Sequence, residues 1–367
     1  MQKTPHLLII SAIADRTERC LFKGLSQKSG FKVDLLVDPA EPNKEDLRSA
    51  THDLREMHIL HRFDIARVLQ LRKQIISNNY DVIFTTYNKG LAAAMLATHG
   101  LNTKVVVYRG TMGNLSRLDP ACWITHLHPR LRMIVCNCEG VKNYLLNFGL
   151  PQNKLVTIYK GHKTEWYQGT TKPTLGDLKI PNDAFIVGCV ANVRELKGID
   201  IIIKAFAKLS HLPIHLIIVG KNNDQRYPDL AQKLGIASKI HFIGFRPDAV
   251  EVTRLFNLSV MASTRREGVP RSIVESMSQG IPAVVTDIGG LPELVQHQKN
   301  GLVVPPKDPT ALAEAISDLY NDRQKLQTFT VNSIKWIEER FNADKALAAY
   351  TDLFQRLTEE KNDKTHR

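Results

Sequence analysis

The sequence predicts an α/β protein with two doubly wound, parallel-sheet domains facing a central cleft. Three observations carry this. Short apolar runs alternate with amphipathic stretches along the chain, and strands apolar on both faces belong to parallel sheets covered by helices. A polar stretch near residues 160–183 interrupts the alternation, which then begins afresh. The length of 367 residues is more than one hydrophobic core serves.

In the first half, strands are expected over residues 6–13, 32–37, 58–61, 81–85, 104–108, 133–136 and 155–159. Helical patterns cover 16–27, 64–78, 89–98 and 139–147. In the second half, strands are expected over 185–191, 214–220, 240–244, 258–262 and 283–286, with helices over 270–279, 311–320 and 323–340. Beyond these, Leu347, Tyr350, Leu353, Phe354 and Leu357 form one apolar stripe at helical spacing, a core-packing face. The expected domains are residues 1–162 and 163–341, with helix 342–361 a candidate to pack back on the first. Ligands of such sheets bind beyond the carboxyl ends of the strands.

Hydrophobic residues make up 43% and charged residues 23%, ordinary for a globular protein. No apolar run approaches the roughly 18 residues that a membrane-spanning helix requires. The opening MQKTPHLLIISAIAD has the features of a short secretory leader. A buried first strand fits better, because a helix and a second strand follow at α/β spacing. Cys20, Cys122, Cys136, Cys138 and Cys189 are too few for a disulfide framework, and no second Cys or His pair gives zinc spacing. Reduced core cysteines and a cytoplasmic location are expected, with the inner membrane face a candidate peripheral surface. Residues 1–160 hold 22 Lys and Arg against 13 Asp and Glu, so +9 of the +12 net charge lies there. That half suits an anionic partner: a phosphorylated substrate, an acidic lipid surface or nucleic acid. No nucleic-acid-binding motif is present, so nucleic acid is not expected.

The richest stretch for chemistry is residues 266–295, REGVPRSIVESMSQGIPAVVTDIGGLPELV. Pro270 suits a first helical position. Arg271 and Ser272 then bring free backbone N–H groups to a helix start, where an anion is favoured. Glu267 lies in the loop before the helix and Glu275 inside it. Carboxylates beside an anion are unfavourable unless they bind something else, and sugar hydroxyls are natural partners. Gly289 and Gly290 allow close backbone approach to a ligand.

This stretch resembles the donor-site signature of retaining glycosyltransferases of family 4, which have the GT-B fold. The family's paired glutamates fall on Glu267 and Glu275, and its Gly-Gly-x-Pro-Glu loop on residues 289–293. NGLVVPPKDPTALAEAI and VANVRELKGIDIIIKAF resemble neighbouring family segments, and IYKGHKTEWY its interdomain crossing. The resemblance implies a nucleotide-diphosphate sugar as co-substrate, with no further cofactor and no metal. It implies that Lys197 meets the diphosphate, Glu267 contacts the donor sugar and stabilises charge at the anomeric carbon, and Glu275 holds the ribose. Gly268, Arg271, Ser272, Gly289 and Gly290 complete the donor set. Where the family carries an arginine, this chain has Asn192, and Arg194 is the candidate replacement.

The first half departs further. AIADRTERC stands where many members have a glycine-rich loop, and Arg109 where many have a histidine lining the cleft. Arginine cannot act as a general base near neutral pH. It could bind an anionic acceptor or the donor phosphates; a buried, salt-bridged arginine would look the same. Thr111, Asn114, His126, His128 and Arg130 are the acceptor-side candidates, in a basic segment that could equally be a solvent-facing loop. No Asp-x-Asp occurs, and no G-x-G-x-x-G dinucleotide fingerprint.

The expected activity is transfer of a sugar from a nucleotide-diphosphate sugar to a glycan or lipid-linked acceptor, such as a lipopolysaccharide or other cell-surface polysaccharide precursor. The rivals are a nucleotide-sugar epimerase or hydrolase of the same architecture, a non-catalytic nucleotide-sugar-binding protein, and a dehydrogenase, which the missing fingerprint disfavours.

Overall fold

Two parallel sheets organise the chain. The first has seven strands: β1 His6–Ser11, β2 Lys32–Val37, β3 Asp53–Glu56, β4 Val82–Thr85, β5 Lys104–Arg109, β6 Leu131–Cys136 and β7 Leu155–Thr157. Their order in space is β3-β2-β1-β4-β5-β6-β7. The second has six: β8 Phe185–Val190, β9 Ile214–Val219, β10 Ile240–Phe242, β11 Leu258–Met261, β12 Ala283–Thr286 and β13 Gly301–Val304, in the order β10-β9-β8-β11-β12-β13. The structure, a computed structural model, describes residues 4–169, 173, 178, 180–181 and 183–360. Part of the polar stretch between the sheets lies outside the described residues. The chain divides into two compact units, Met1–Gly161 with Phe341–Arg367, and His162–Arg340.

Each sheet reverses its winding once, between β1 and β4 and between β8 and β11. Such a reversal opens a crevice at the carboxyl ends of the two strands, the topological switch point where α/β sheets take ligands.

Hydrophobic patterning explains both cores. Central strands such as β1 and β9 are buried along their whole length, as expected of strands sandwiched between helices. In the first unit, helix Arg16–Lys28 begins at a capping box between Asp15 and Glu18 and buries Phe22 and Leu25. Helix Ala343–Glu359 begins at an Asn342 cap and lies on the same face. Its large buried side chains are Tyr350, Leu353, Phe354 and Leu357. The Phe354 ring sits 5.6 Å from that of Phe84 and 6.4 Å from that of Phe31. Truncating a wholly buried phenylalanine of this kind costs about 3–5 kcal/mol.

The structure corrects several sequence expectations. No strand forms over 58–61; the third strand is Asp53–Glu56, with Leu54 as its buried side chain. It is an edge strand, paired on one side and largely polar, so it lacks the apolar run that marks its neighbours. Strand β13 was not anticipated because its four residues open with glycine. Several strands end one or two residues earlier than their apolar runs suggest: β1 stops at Ser11, β8 at Val190 and β11 at Met261. The residues just past those ends leave the ladder and build the loops that a ligand would meet.

Candidate functional site

The loops after β8 and β11 flank the switch point of the second sheet, and Lys197 and Glu267 are carried on them. Lys197 closes a short 3₁₀ turn, Glu195–Lys197, and Gly198 follows with φ of +64°. A Cβ at that glycine would lie 2.0 Å from the carbonyl oxygen of Ala262, at the end of β11. A bare backbone at residue 198 therefore lets one loop press against the other. Thr264 N also donates to Leu196 O at 2.9 Å. Lys197 Nζ consequently reaches Glu267 Oε2 at 2.7 Å, with both side chains largely buried. Bonds of this charge-assisted kind are short and directional.

Glu267 has a second donor. Ser263 Oγ donates to the same Oε2 at 2.6 Å, and Thr286 Oγ1 fixes the Ser263 carbonyl at 2.6 Å. Ser263 and Thr286 are fully buried. Sequence reasoning passed over both; the available signal was polar side chains closing otherwise apolar strands. Arg266, just before the glutamate, holds φ of +59°. Non-glycine residues store strain there, and such residues gather at functional sites.

Helix Arg271–Ser278 starts one residue later than expected, with Pro270 as its N-cap rather than its first helical residue. Among the described residues, the backbone N–H groups of Arg271 and Ser272 have no acceptor. They are helix-start donors aimed away from the helix body. Glu275 lies one turn inside and is buried, with Arg271 Nε 3.0 Å from its Oε1. Gly268 is buried beside Glu267. Gly289 takes φ of +59°, whereas Gly290 has an ordinary −88°, and Gly290 N donates to the Glu267 carbonyl at 3.3 Å. The structure thus gathers Lys197, Glu267, Gly268, Gly290 and the start of the Glu275 helix around one strand end.

Asn192 and Arg194 differ in what they do. Asn192 Oδ1 accepts from Lys221 N at 3.1 Å, which ties the loop after β8 to the loop after β9. The Arg194 side chain is exposed, and no ion pair engages it among the described residues. A cation on this loop is available to a ligand; the asparagine is occupied in holding the loop.

In the first unit, Arg109 is the last residue of β5 and is buried. Its Nη2 donates to the Gly113 carbonyl, and its Nε has no hydrogen-bond partner. No carboxylate pairs with it among the described residues. Burial pushes its pKa below the usual guanidinium value. His126 is buried nearby; burial first, then the charges of Arg109 and Arg62, lower its pKa to about 3. The ring is neutral at physiological pH. Thr111 and Asn114 are exposed on the loop that Arg109 braces, Asn114 with φ of +57°.

His128 and Arg130 lie elsewhere. They precede β6, whose Leu131 pairs in register with Val105, whereas Arg109 pairs with Cys136. Four strand residues, about 13 Å, separate those positions along the sheet. Arg130 Nη2 donates to the carbonyls of Thr98 and Leu101, beyond the end of helix Asn88–Ala97. His128 Nδ1 accepts from Arg130 N at 3.0 Å. The structure brings His126 to Arg109 and leaves His128 and Arg130 at the opposite end of these strands.

Where many family members carry glycines after β1, Asp15 caps the first helix and binds Lys160 Nζ at 2.6 Å. Burial opposes ionisation of Asp15, but Lys160 and Thr17 hold its carboxyl well below the usual range.

Two family models match the chain: "Glycosyltransferase Family 4" over residues 21–166 and "Glycosyl transferases group 1" over residues 173–336. N-acetyl-alpha-D-glucosaminyl L-malate synthase of Bacillus anthracis is 25% identical over 48% of this chain and 46% of its own length. The lipopolysaccharide core biosynthesis mannosyltransferase LpsB of Rhizobium meliloti is 27% identical over 47% of this chain and 51% of its own. The chain thus spans about half the length of these curated relatives. Among solved structures, a glycosyltransferase from Rickettsia africae superposes with a TM-score of 0.82 at 18% identity, covering 98% of this chain and 100% of that one. Anabaena HepE in complex with UDP gives 0.77 at 20% identity, covering 96% and 100%. The two family models between them span most of the sequence, and the solved structures share its pair of parallel sheets: the chain belongs to glycosyltransferase family 4 and has the GT-B fold.

Proposed function

We propose that the protein is a retaining glycosyltransferase that uses a nucleotide-diphosphate sugar, its second unit binding the donor and its basic first unit the acceptor. The observation that carries this reading is the Lys197–Glu267 pair at the β8/β11 switch point, beside a helix start with two open N–H groups. Lys197, Arg194 and the N–H groups of Arg271 and Ser272 neutralise the diphosphate. Glu275 takes the ribose hydroxyls, and Glu267 the hydroxyls of the transferred sugar. UDP is the preferred nucleotide, supported by the UDP-bound HepE structures.

Retention follows from attack on the face that the leaving group vacates. The bond from the anomeric carbon to the diphosphate oxygen breaks as the acceptor oxygen bonds to that carbon. The acceptor's proton passes to the departing phosphate oxygen, and the nucleoside diphosphate leaves. Glu267 stabilises the positive charge on the sugar during exchange, and Lys197 the negative charge on the phosphate.

Arg109, a buried guanidinium with no carboxylate partner among the described residues, suits an anionic acceptor. One relative, the lipopolysaccharide core mannosyltransferase LpsB, and the first unit's surface support a lipid-linked or lipopolysaccharide-type acceptor at the cytoplasmic face of a membrane. Leu60, Phe63, Ile65, Leu69, Leu118 and Trp123 are exposed there, and Arg62 lies 3.9 Å from Asp119 between those loops. No helix among the described residues is long and apolar enough to cross a membrane. The test is incubation with UDP-, GDP- and ADP-sugars, reading melting temperature and released nucleotide. Slow donor hydrolysis abolished in Glu267→Ala is expected. Donor stabilisation without turnover on any acceptor lipid would point to a binding protein instead.

A further inference from the structure

We propose that His6, Asp34 and His52 form a binding site for a divalent transition-metal ion of the zinc type, at the amino ends of the first sheet's strands. His6 opens β1, Asp34 is the third residue of β2, and His52 immediately precedes β3. One ligand atom from each side chain lies within 4.8 Å of the other two. His6 Nε2 is 3.1 Å from Asp34 Oδ2, and His52 Nδ1 is 2.8 Å from Asp34 Oδ1.

The His6 ring carries the argument. Its Nδ1 lies 3.0 Å from the Asn78 carbonyl oxygen. A carbonyl only accepts, so Nδ1 bears the hydrogen. Nε2 of the neutral ring then presents a lone pair. That atom is buried, makes no hydrogen bond, and faces a carboxylate oxygen of Asp34. Two lone pairs so close repel unless positive charge lies between them, and that charge is either a proton or a metal ion. A shared proton would need only these two groups, whereas His52 Nδ1, 2.8 Å from the other oxygen of the same carboxylate, adds a third ligand atom to the cluster.

The surroundings are those of a metal site. A backbone carbonyl holding the far N–H of a ligating histidine fixes its tautomer. Tyr80 Oη donates to Asp34 Oδ2 at 2.6 Å and orients the carboxylate in the same manner. In a tetrahedral zinc site, neighbouring ligand atoms stand about 3.3 Å apart, close to the His6–Asp34 separation. Two imidazoles and a carboxylate suit zinc, cobalt and nickel ions. The His52 side chain is 52% exposed, so the ion can enter from solvent and complete its shell with water. The nearby Lys32 opposes the ion, and the Asp34 charge offsets it.

The experiment is titration of the tag-free full chain with Co²⁺ and Zn²⁺. One equivalent of Co²⁺ giving the visible bands of a tetrahedral site, competed away by Zn²⁺, is expected, together with a raised melting temperature. His52→Ala, an exposed substitution, should weaken Zn²⁺ binding by at least about tenfold. His58→Ala, removing an exposed histidine beside Asp38, should leave it unchanged. Absence of stoichiometric binding, binding unaltered by His52→Ala, or loss of binding in His58→Ala would each overturn the proposal.

Discussion

Lys197 Nζ and Glu267 Oε2 meet at 2.7 Å although 70 residues separate them in sequence. Neither side chain is placed by its own loop alone. The contact exists because β8 and β11 are neighbours in the sheet and Gly198 lets their loops close on each other. Removing either partner should therefore damage donor chemistry more than folding. Glu267→Ala is expected to lower kcat by about 10²–10³. Lys197→Ala should raise the KM for the nucleotide sugar as well. Steady-state kinetics on both variants, with melting temperatures, separate the effects.

Gly198→Ala tests the placement without touching a polar group. The new Cβ would meet Ala262 O at 2.0 Å in a left-handed conformation. A cost of about 1–3 kcal/mol in stability is expected, together with weaker UDP binding. Calorimetric titration with UDP and a thermal melt measure the two; normal UDP affinity would show that the loop contact does not set the donor site.

Arg109→Met removes a buried guanidinium that no carboxylate balances among the described residues. Because an unpaired buried charge is itself costly, the melting temperature should hold or rise. The acceptor KM should increase about tenfold to hundredfold, the value of one or two charged hydrogen bonds. Donor KM should be unaffected.

His126 gives a pH prediction. Its folded pKa of about 3 lies below the ordinary histidine value of 6.5. Between those values the unfolded chain binds the extra proton, so stability falls as the pH drops, by up to about 1.4 kcal/mol per unit. Above pH 6.5 the group contributes nothing. His126→Gln should flatten the acid limb of the stability curve relative to wild type between about pH 6 and 4. Buried His6 shifts in the same direction, so denaturant midpoints for the variant and the parent must be subtracted.

Leu118→Glu with Trp123→Glu tests the apolar surface of the first unit. Losing two inserted side chains should weaken binding to anionic vesicles at least about tenfold. Parent protein that fails to sediment with such vesicles at low salt would remove the membrane from the proposal.

The grouping of Lys197, Glu267 and the Glu275 helix was largely legible because these residues follow a local rule. A carboxylate, a proline-led helix start and a Gly-Gly turn sit within thirty residues, and their spacing survives in the fold. Ser263, Thr286 and Arg266 were not legible, since their importance comes from which strand ends become neighbours and from a backbone angle. The first unit's candidate residues read worse for the same reason. His126, His128 and Arg130 form one basic cluster in sequence, yet a turn and the start of β6 place the last two at the far end of the strands. The edge strand β3 escaped because hydrophobic periodicity reports burial on two faces, and an edge has less of it.

Helix Ala343–Glu359 closes the core of the first unit, although the whole second unit lies between it and that unit's strands in sequence. During synthesis, the first 161 residues emerge without Tyr350, Leu353, Phe354 and Leu357. Their sheet must wait with one apolar face only partly covered, by helix Arg16–Lys28, while His162–Arg340 can already complete a core of its own. The unit made first is thus finished last. A stalled or clipped chain lacking that helix would present Phe31 and Phe84 to chaperones and proteases, while its second unit stayed folded.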